Sequence, residues 1–167
     1  MLNFSESGAK IASITHMVES FKKHDENADN VDKIVLCLGT NDIKHSKNGV
    51  SHLRPQVFSL VNRIKDLFPG VNSLVFSTLP MARVYNYTVH NCYAFNDILK
   101  EVCYKTNSYY VDCFDNFLTS DRFDINNLLY KDCYHLNKKG VGVLCSILKM
   151  VINCDYFTSI LRCEYFQ

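Results

Sequence analysis

Apolar residues recur at helical spacing in four parts of the chain, which alternate with short continuous apolar runs. The first periodic segment predicts an amphipathic helix over about residues 9–23, with an apolar face of Ile11, Ile14, Met17, Val18 and Phe21. Three further helices are predicted: one that ends at Pro69-Gly70, one around residues 95–102, and one that Asn137 can cap at its start.

The continuous apolar runs lie between these helices, at residues 33–38, 73–79 and 109–113. Runs of this kind are typical of strands buried on both faces. Because strands alternate with helices, we predict an α/β fold with three layers, in which helices cover both faces of a parallel sheet. Functional residues of such sheets lie beyond the carboxyl ends of the strands, here after Leu38, Ser77 and Cys113.

Composition fits a single globular domain. Of the 167 residues, 47% are hydrophobic and 21% are charged, which is enough apolar surface for a core. Lys and Arg number 18 against 17 Asp and Glu, so the formal net charge is +1. This balance argues against strong binding of nucleic acid or of an anionic membrane.

The N-terminal residues lack the basic and apolar regions of a signal peptide, and the apolar stretch 141–152 is interrupted by Lys149. That stretch is also shorter than the roughly 20 residues of a membrane span. We therefore expect a cytoplasmic protein whose eight cysteines are mostly reduced. No C-x-x-C pair occurs, and the loop histidines have no second ligand at metal spacing, so no metal site is expected.

Gly39-Thr40-Asn41-Asp42, the G-T-N-D block, follows the first predicted strand. The glycine permits a sharp turn, and the Asn41 side-chain amide is a neutral donor suited to a developing oxyanion. By itself the block is equally an ordinary turn, because Gly, Asn and Asp are common turn residues.

Asp132-Cys133-Tyr134-His135, the D-C-Y-H block, precedes the last predicted helix. The spacing allows the Asp132 carboxylate to contact one imidazole nitrogen of His135, which leaves the other nitrogen to face a nucleophile. Taken alone, an exposed loop aspartate beside a packed histidine is the commoner arrangement. Gly8, at the start of the first predicted helix, offers a backbone N–H as a second oxyanion donor.

These three blocks, in this order on an alternating chain, resemble the SGNH (GDSL-type) esterase and lipase superfamily. The surrounding sequence is similar to the SGNH domains encoded by some animal non-LTR retrotransposons, in the segments IVLCLGTNDI, STLP and HLNKKG. The resemblance covers residues 2–152 and implies a flavodoxin-like sheet. It also implies that Asp132 and His135 are catalytic, that Asn41 and Gly8 form the oxyanion hole, and that Gly39 and Asp42 support the motif. No metal or organic cofactor is implied, and the substrate class is a small ester.

One block of the family has no counterpart in the sequence. The family's nucleophilic serine lies in a G-D-S motif after its first strand, and the 167 residues contain no such motif. The expectation is therefore an SGNH-like domain over residues 1–155, without the family's first strand, followed by a tail at 156–167. Ser5, Ser7 and Cys133 are the nearest substitutes for the nucleophile, each a poor one.

Two functions follow from this pattern. The first is an ester hydrolase domain that is inactive because these 167 residues lack the G-D-S block with the nucleophilic serine. The second is a non-catalytic RNA- or protein-binding module of a transposon-derived gene. The absent strand would leave residues 34–38 as an unpaired apolar edge, and such an edge favours self-association.

Overall fold

The computed structural model describes residues 8–79, 88–117, 125–132 and 135–153. Three parallel strands form a sheet in the order β1 (Lys33–Leu36), β2 (Asn72–Phe76) and β3 (Tyr109–Val111). Val35 lies beside Leu74 in the register of the first pair, and Val75 lies beside Tyr110 in the second. Each strand stands where a continuous apolar run predicts one, although each is shorter than its run.

Long helices connect and cover these strands: α1 (Ile11–His24), α3 (Arg54–Leu67), α4 (Thr88–Lys105) and α7 (Lys138–Asn153). All four are predicted by apolar spacing, although α4 begins seven residues before the segment that predicts it, at 88 against 95. Shorter helices that spacing does not predict are α2 (Thr40–Lys44), α5 (Phe114–Phe117) and α6 (Ile125–Leu128). Single 3-10 turns occur at Ala28–Asn30 and Ser51–Leu53.

Alternate residues of the sheet face two different core clusters, as the period of two in a strand requires. Ile34 and Tyr110 pack in the larger cluster with α1, α3 and α4. Val35 and Val111 pack in the smaller cluster with Ile147 of α7. The sheet is thus covered by helices on both faces, and the predicted three-layer α/β/α fold is confirmed.

The two outer strands, β1 and β3, differ in the contacts that they make besides their pairing with β2. The Ser77 hydroxyl, directly after β2, accepts hydrogen bonds from the backbone N–H of Cys113 (2.5 Å) and of Phe114 (2.8 Å). The start of α5 is thereby joined to the central strand. On the other side, β1 pairs with β2 alone among the residues that the structure describes, and its outer edge carries no strand there.

Among the described helices, none combines the length and the apolar character that a membrane span requires. The predicted tail at 156–167 lies outside the described residues.

Candidate active site

The first block of the candidate site begins at a glycine that no other residue can readily replace. Gly39 has φ +98°, in the left-handed region, and is the N-cap of α2. A Cβ atom built there would lie 2.1 Å from the Phe95 ring of α4. Conformation and space therefore both require glycine. The chain enters α2 at once, so Asn41 and Asp42 project from the first turn of a helix and not from a loop.

Asp42 joins this helix to the start of α1. Its carboxylate is buried at 7% exposure, and Oδ2 accepts a hydrogen bond of 3.3 Å from the backbone N–H of Ile11. Burial raises the pKa of the Asp42 carboxyl, against the opposing effects of the Ile11 hydrogen bond and of the Lys10 and His52 charges. The carboxylate therefore fixes where α1 begins.

Asn41 is held beside the Gly8 segment. Its Nδ2 donates a hydrogen bond of 2.9 Å to the backbone oxygen of Ala9, the residue that follows Gly8. Gly8 is exposed, with φ +80°, and α1 starts at Ile11. Gly8 thus precedes the helix in the structure. The segment after Gly8 brings the Ala9 backbone to the side chain of Asn41.

Asp132 and His135 form a close pair in the turn before α7. Asp132 Oδ2 lies 2.7 Å from His135 Nδ1, and Oδ1 accepts a hydrogen bond of 3.0 Å from the His135 backbone N–H. The side chains are 49% and 65% exposed, respectively. One carboxylate thus holds both the ring and the main chain of the same residue. With Nδ1–H donating to the carboxylate, Nε2 is the proton acceptor.

A two-stranded bridge positions this pair. Leu129 and Leu136 form an antiparallel bridge, and the backbone N–H of Tyr130 donates to the His135 oxygen at 2.8 Å. Asn137 follows the bridge and caps α7 as predicted: its Oδ1 accepts from the N–H of Lys139 (2.9 Å) and of Gly140 (3.1 Å). His135 therefore lies next to both the bridge and a capped helix.

Two residues of this region are not singled out by the sequence motifs. Tyr130 stands opposite His135 on the bridge and is 59% exposed, while its neighbour Leu129 is buried. A Cβ atom on Gly140 would lie 2.2 Å from the backbone oxygen of Leu128, so α7 can approach the bridge only with glycine there. The sequence signal for the bridge is that a leucine stands beside a residue with a polar group on each side, Leu129 beside Tyr130 and Leu136 beside His135.

The structure thus brings together two pairs: Asn41 with the Gly8 turn, and Asp132 with His135. The alternative nucleophiles Ser5, Ser7 and Cys133 lie outside the described residues. Cys113, at the carboxyl end of β3, is buried, and burial raises the pKa of its thiol to about 12, which makes it a poor nucleophile. The described residues contain no group of three His, Cys, Asp or Glu side chains placed to hold a metal ion.

Known structures share this architecture. An alpha/beta hydrolase enzyme from the metagenome of Lake Arreo, Spain, superposes with a TM-score of 0.71 at 16% identity, over 92% of this chain and 72% of that one. A catalytic mutant of an acetylxylan esterase from Geobacillus stearothermophilus gives a TM-score of 0.70 at 16% identity, over 92% and 72%. A lipase/acylhydrolase from Enterococcus faecalis gives 0.67 at 14% identity, over 87% and 71%.

At these identities the structural likeness establishes the fold alone. No curated protein matches the chain in sequence. Residues 2–143, which include the Gly8 turn, the G-T-N-D block and the D-C-Y-H block, match the profile of the GDSL-like Lipase/Acylhydrolase family. Because that match spans most of the chain, the protein belongs to the GDSL-like lipase/acylhydrolase family.

Proposed function

We propose that this chain carries the acid–base and oxyanion-binding parts of an ester hydrolase. The observation that supports the proposal most directly is the 2.7 Å contact between Asp132 Oδ2 and His135 Nδ1. In the proposed reaction His135 Nε2 takes the proton of an attacking hydroxyl, and later returns it to the departing alcohol. Asp132 orients the imidazole and stabilises its protonated form.

The oxyanion of the tetrahedral intermediate is proposed to bind at Asn41 and the Gly8 N–H. One hydrogen of the Asn41 amide is directed to Ala9, which orients the side chain. Gly8 directly precedes Ala9 in the chain, and this closeness to the Asn41 contact supports the Gly8 N–H as the second proposed donor. Neither a metal nor an organic cofactor is required for this chemistry.

The nucleophile is the component that the 167 residues do not supply in recognisable form. Without a G-D-S motif, no hydroxyl is assigned to attack the carbonyl, and the acyl-enzyme cannot form. We therefore propose that the chain by itself turns over esters poorly. Small esters are the proposed substrate class, in keeping with the acetylxylan esterase among the similar structures.

Hydrolysis of p-nitrophenyl acetate tests the proposal. We expect the purified chain to fall far below an ordinary turnover of about 10 s⁻¹. The slow residual hydrolysis should drop in His135→Ala and Asp132→Asn. His16→Ala is the matched control, because His16 Nδ1 also faces a carboxylate three residues away, Glu19 Oε2, but at 3.9 Å and on an exposed helix surface.

Two results would contradict parts of the proposal separately. Turnover near 10 s⁻¹ that His135→Ala abolishes would show that a nucleophile is present, and would direct attention to Ser5, Ser7 and Cys133. Residual hydrolysis that is equally lost in His16→Ala, or unchanged in His135→Ala, would remove the assignment of Asp132 and His135.

The second candidate function is a non-catalytic protein-binding module, and the outer edge of β1 supports it, because no strand of the described residues pairs there. Ile34 and Val35 are half-buried and Leu36 is buried, so this edge is apolar apart from Lys33. Edges of this kind pair with another strand, including one from a second copy of the chain. The net charge of +1 gives no comparable support to RNA binding.

Size-exclusion chromatography over a range of protein concentrations tests this edge. Pairing predicts a concentration-dependent dimer or larger species. It also predicts that an added peptide with a G-D-S strand restores the monomer and raises His135-dependent ester hydrolysis. A monomer at every concentration, unaffected by the peptide, would contradict the edge as an interaction site.

We also propose that the domain acts in the cytoplasm as part of a retrotransposon-type protein. The similarity of IVLCLGTNDI and HLNKKG to such domains is the support. The genomic sequence around the coding region tests this proposal, since a neighbouring reverse transcriptase frame is expected and an isolated gene would contradict it.

A further inference from the structure

A cavity of about 480 Å³ lies between the loop after α2, the start of α3 and the first turns of α4. Sites for small molecules typically have volumes of roughly 300–1,000 Å³. The floor of this cavity is apolar and is formed by Val50, Ala94 and Ile98. Neither Asn41 nor the Asp132–His135 pair lines it, so it is a different place from the candidate active site.

Among the described residues that line this cavity, the lysine, arginine and histidine side chains are Lys47, Arg54 and His90, and no aspartate or glutamate lines it. Arg54 already has an anionic partner, because its Nη1 lies 3.0 Å from Glu101 Oε2. Glu101 and Asp97 line an adjoining cavity that also touches Arg54. Lys100 also lines that adjoining cavity, so acidic and basic side chains balance there. The first cavity is lined by no acidic side chain among the described residues, and its end with Lys47 and His90 is the one that attracts an anion.

Hydrogen bonds hold the walls of the cavity in place. The buried Asn91 of α4 donates from Nδ2 to the backbone oxygen of Ser46 at 2.7 Å, directly before Lys47. The Ser46 hydroxyl in turn donates a hydrogen bond of 2.7 Å to the backbone oxygen of Asp42. The loop that carries Lys47 is thereby fixed to both α2 and α4. A preformed cavity spends little binding energy on ordering its own walls.

We propose that this cavity binds a short-chain monocarboxylate. Its carboxylate would be held by Lys47 and His90, and its alkyl chain would cover Ala94 and Ile98. Charge-assisted hydrogen bonds stabilise the head group, and burial of the alkyl chain stabilises the rest. A phosphate should bind less well, because the Arg54 guanidinium, which would suit it, is already paired with Glu101.

NMR titration of the full chain tests this site with three probes: hexanoate, 1-hexanol and inorganic phosphate. We expect hexanoate to bind with a Kd on the order of 1 mM, and to shift the amide signals of Gly49 and Ala94. Hexanol has the same chain without the charge and should bind at least tenfold more weakly. Phosphate has the charge without the chain and should do the same.

Substitutions test which residues bind the carboxylate group of hexanoate. Lys47→Gln and His90→Gln should each weaken hexanoate binding about fivefold. Lys100→Gln is the matched control, because Lys100 lies further along α4 and lines only the adjoining cavity, and it should change nothing. Both substituted residues are exposed, so unchanged melting temperatures are expected and should be checked.

Three outcomes would overturn the proposal: no shift up to about 20 mM hexanoate, equal binding of hexanol and hexanoate, or hexanoate binding that survives both Lys47→Gln and His90→Gln. Because the readout is binding and not ester turnover, these results are independent of the proposed catalytic function.

Discussion

The two blocks of the candidate site are held by opposite means. Asp42 in the G-T-N-D block is 7% exposed, contacts a residue 31 positions away, and follows a glycine packed on the Phe95 ring. Asp132 and His135 of the D-C-Y-H block are exposed. They are held by their contacts with each other, by the Leu129–Leu136 bridge and by the Asn137 cap. One block is fixed by the core and the other by a local turn.

The difference shows what each block can tolerate. A residue fixed by core packing moves only at the cost of the surrounding core, because protein interiors are close-packed. A residue fixed by a local turn can be reoriented without unfolding the rest. Substitutions in the first block should therefore act on global stability, and substitutions in the second should act mainly on the geometry of the His135 ring.

The largest effect is expected at Gly39. Alanine there meets the Phe95 ring and a left-handed φ, so Gly39→Ala should lower the free energy of unfolding by about 3 kcal/mol or more in urea denaturation. Gly49→Ala is the control: Gly49 has a similar φ of +91°, but a Cβ there meets nothing within 4 Å. Its cost should be about 1 kcal/mol. Equal losses would mean that the Phe95 contact is unimportant.

Gly140 and Gly142 offer a matched pair within α7. Gly140→Ala places a Cβ against the Leu128 oxygen and should cost about 2 kcal/mol. It should also shift the NMR signals of the His135 ring, because the bridge is displaced. Gly142 has open space around it, so Gly142→Ala should stabilise the helix by about 0.5–1 kcal/mol. Unchanged His135 signals in Gly140→Ala would show that α7 does not position the block.

Asn137 tests the cap alone. Removing its side chain in Asn137→Ala should cost about 1–2 kcal/mol, since two N–H groups of α7 lose their acceptor. Asn137→Asp keeps the acceptor oxygens but loses the donor to the backbone oxygens of Asn127 and Leu129. Its stability should therefore lie between those of the wild type and of Asn137→Ala. Thermal unfolding measures both, and an aspartate variant as unstable as the alanine variant would assign the effect to the donor.

The smallest effect is expected at Asp42, and it depends on pH. Because the folded pKa of this carboxyl is raised above its usual 3.8, its ionised form is disfavoured in the fold. The protonated carboxyl therefore contributes stability below pH 3.8, and this contribution is lost as the pH rises through the folded pKa. Asp42→Asn keeps an acceptor for Ile11, so it should be slightly more stable than the wild type at pH 7. The difference should vanish at acidic pH.

The exposed Asp66 supplies the control for that measurement. Asp66→Asn makes the same change on the exposed face of α3 and should alter the free energy of unfolding at pH 7 by no more than about 0.5 kcal/mol. A loss of stability in Asp42→Asn that persists at pH 7 would contradict the interpretation, because it would show that the negative charge itself stabilises α1.

Much of the fold could be predicted because it depends on local pattern. The four long helices and three strands arise from apolar spacing within each segment, and Asn137 is a cap because of its place before a periodic segment. The short helices α2, α5 and α6 have too few residues for a period to be visible. β3 ends earlier than its apolar run because the backbone N–H groups of Cys113 and Phe114 donate to the Ser77 hydroxyl and not to a neighbouring strand.

By itself the sequence determined which residues are candidates, and it placed Asp132 within reach of His135, because three positions of one turn separate them. Only the tertiary structure decided that Gly39 must be glycine, that Asp42 fixes the start of α1, and that Lys47 and His90 share one cavity. The physical reason is the same in each case. These partners lie on separate elements, and their contacts exist only once the helices have packed on the sheet.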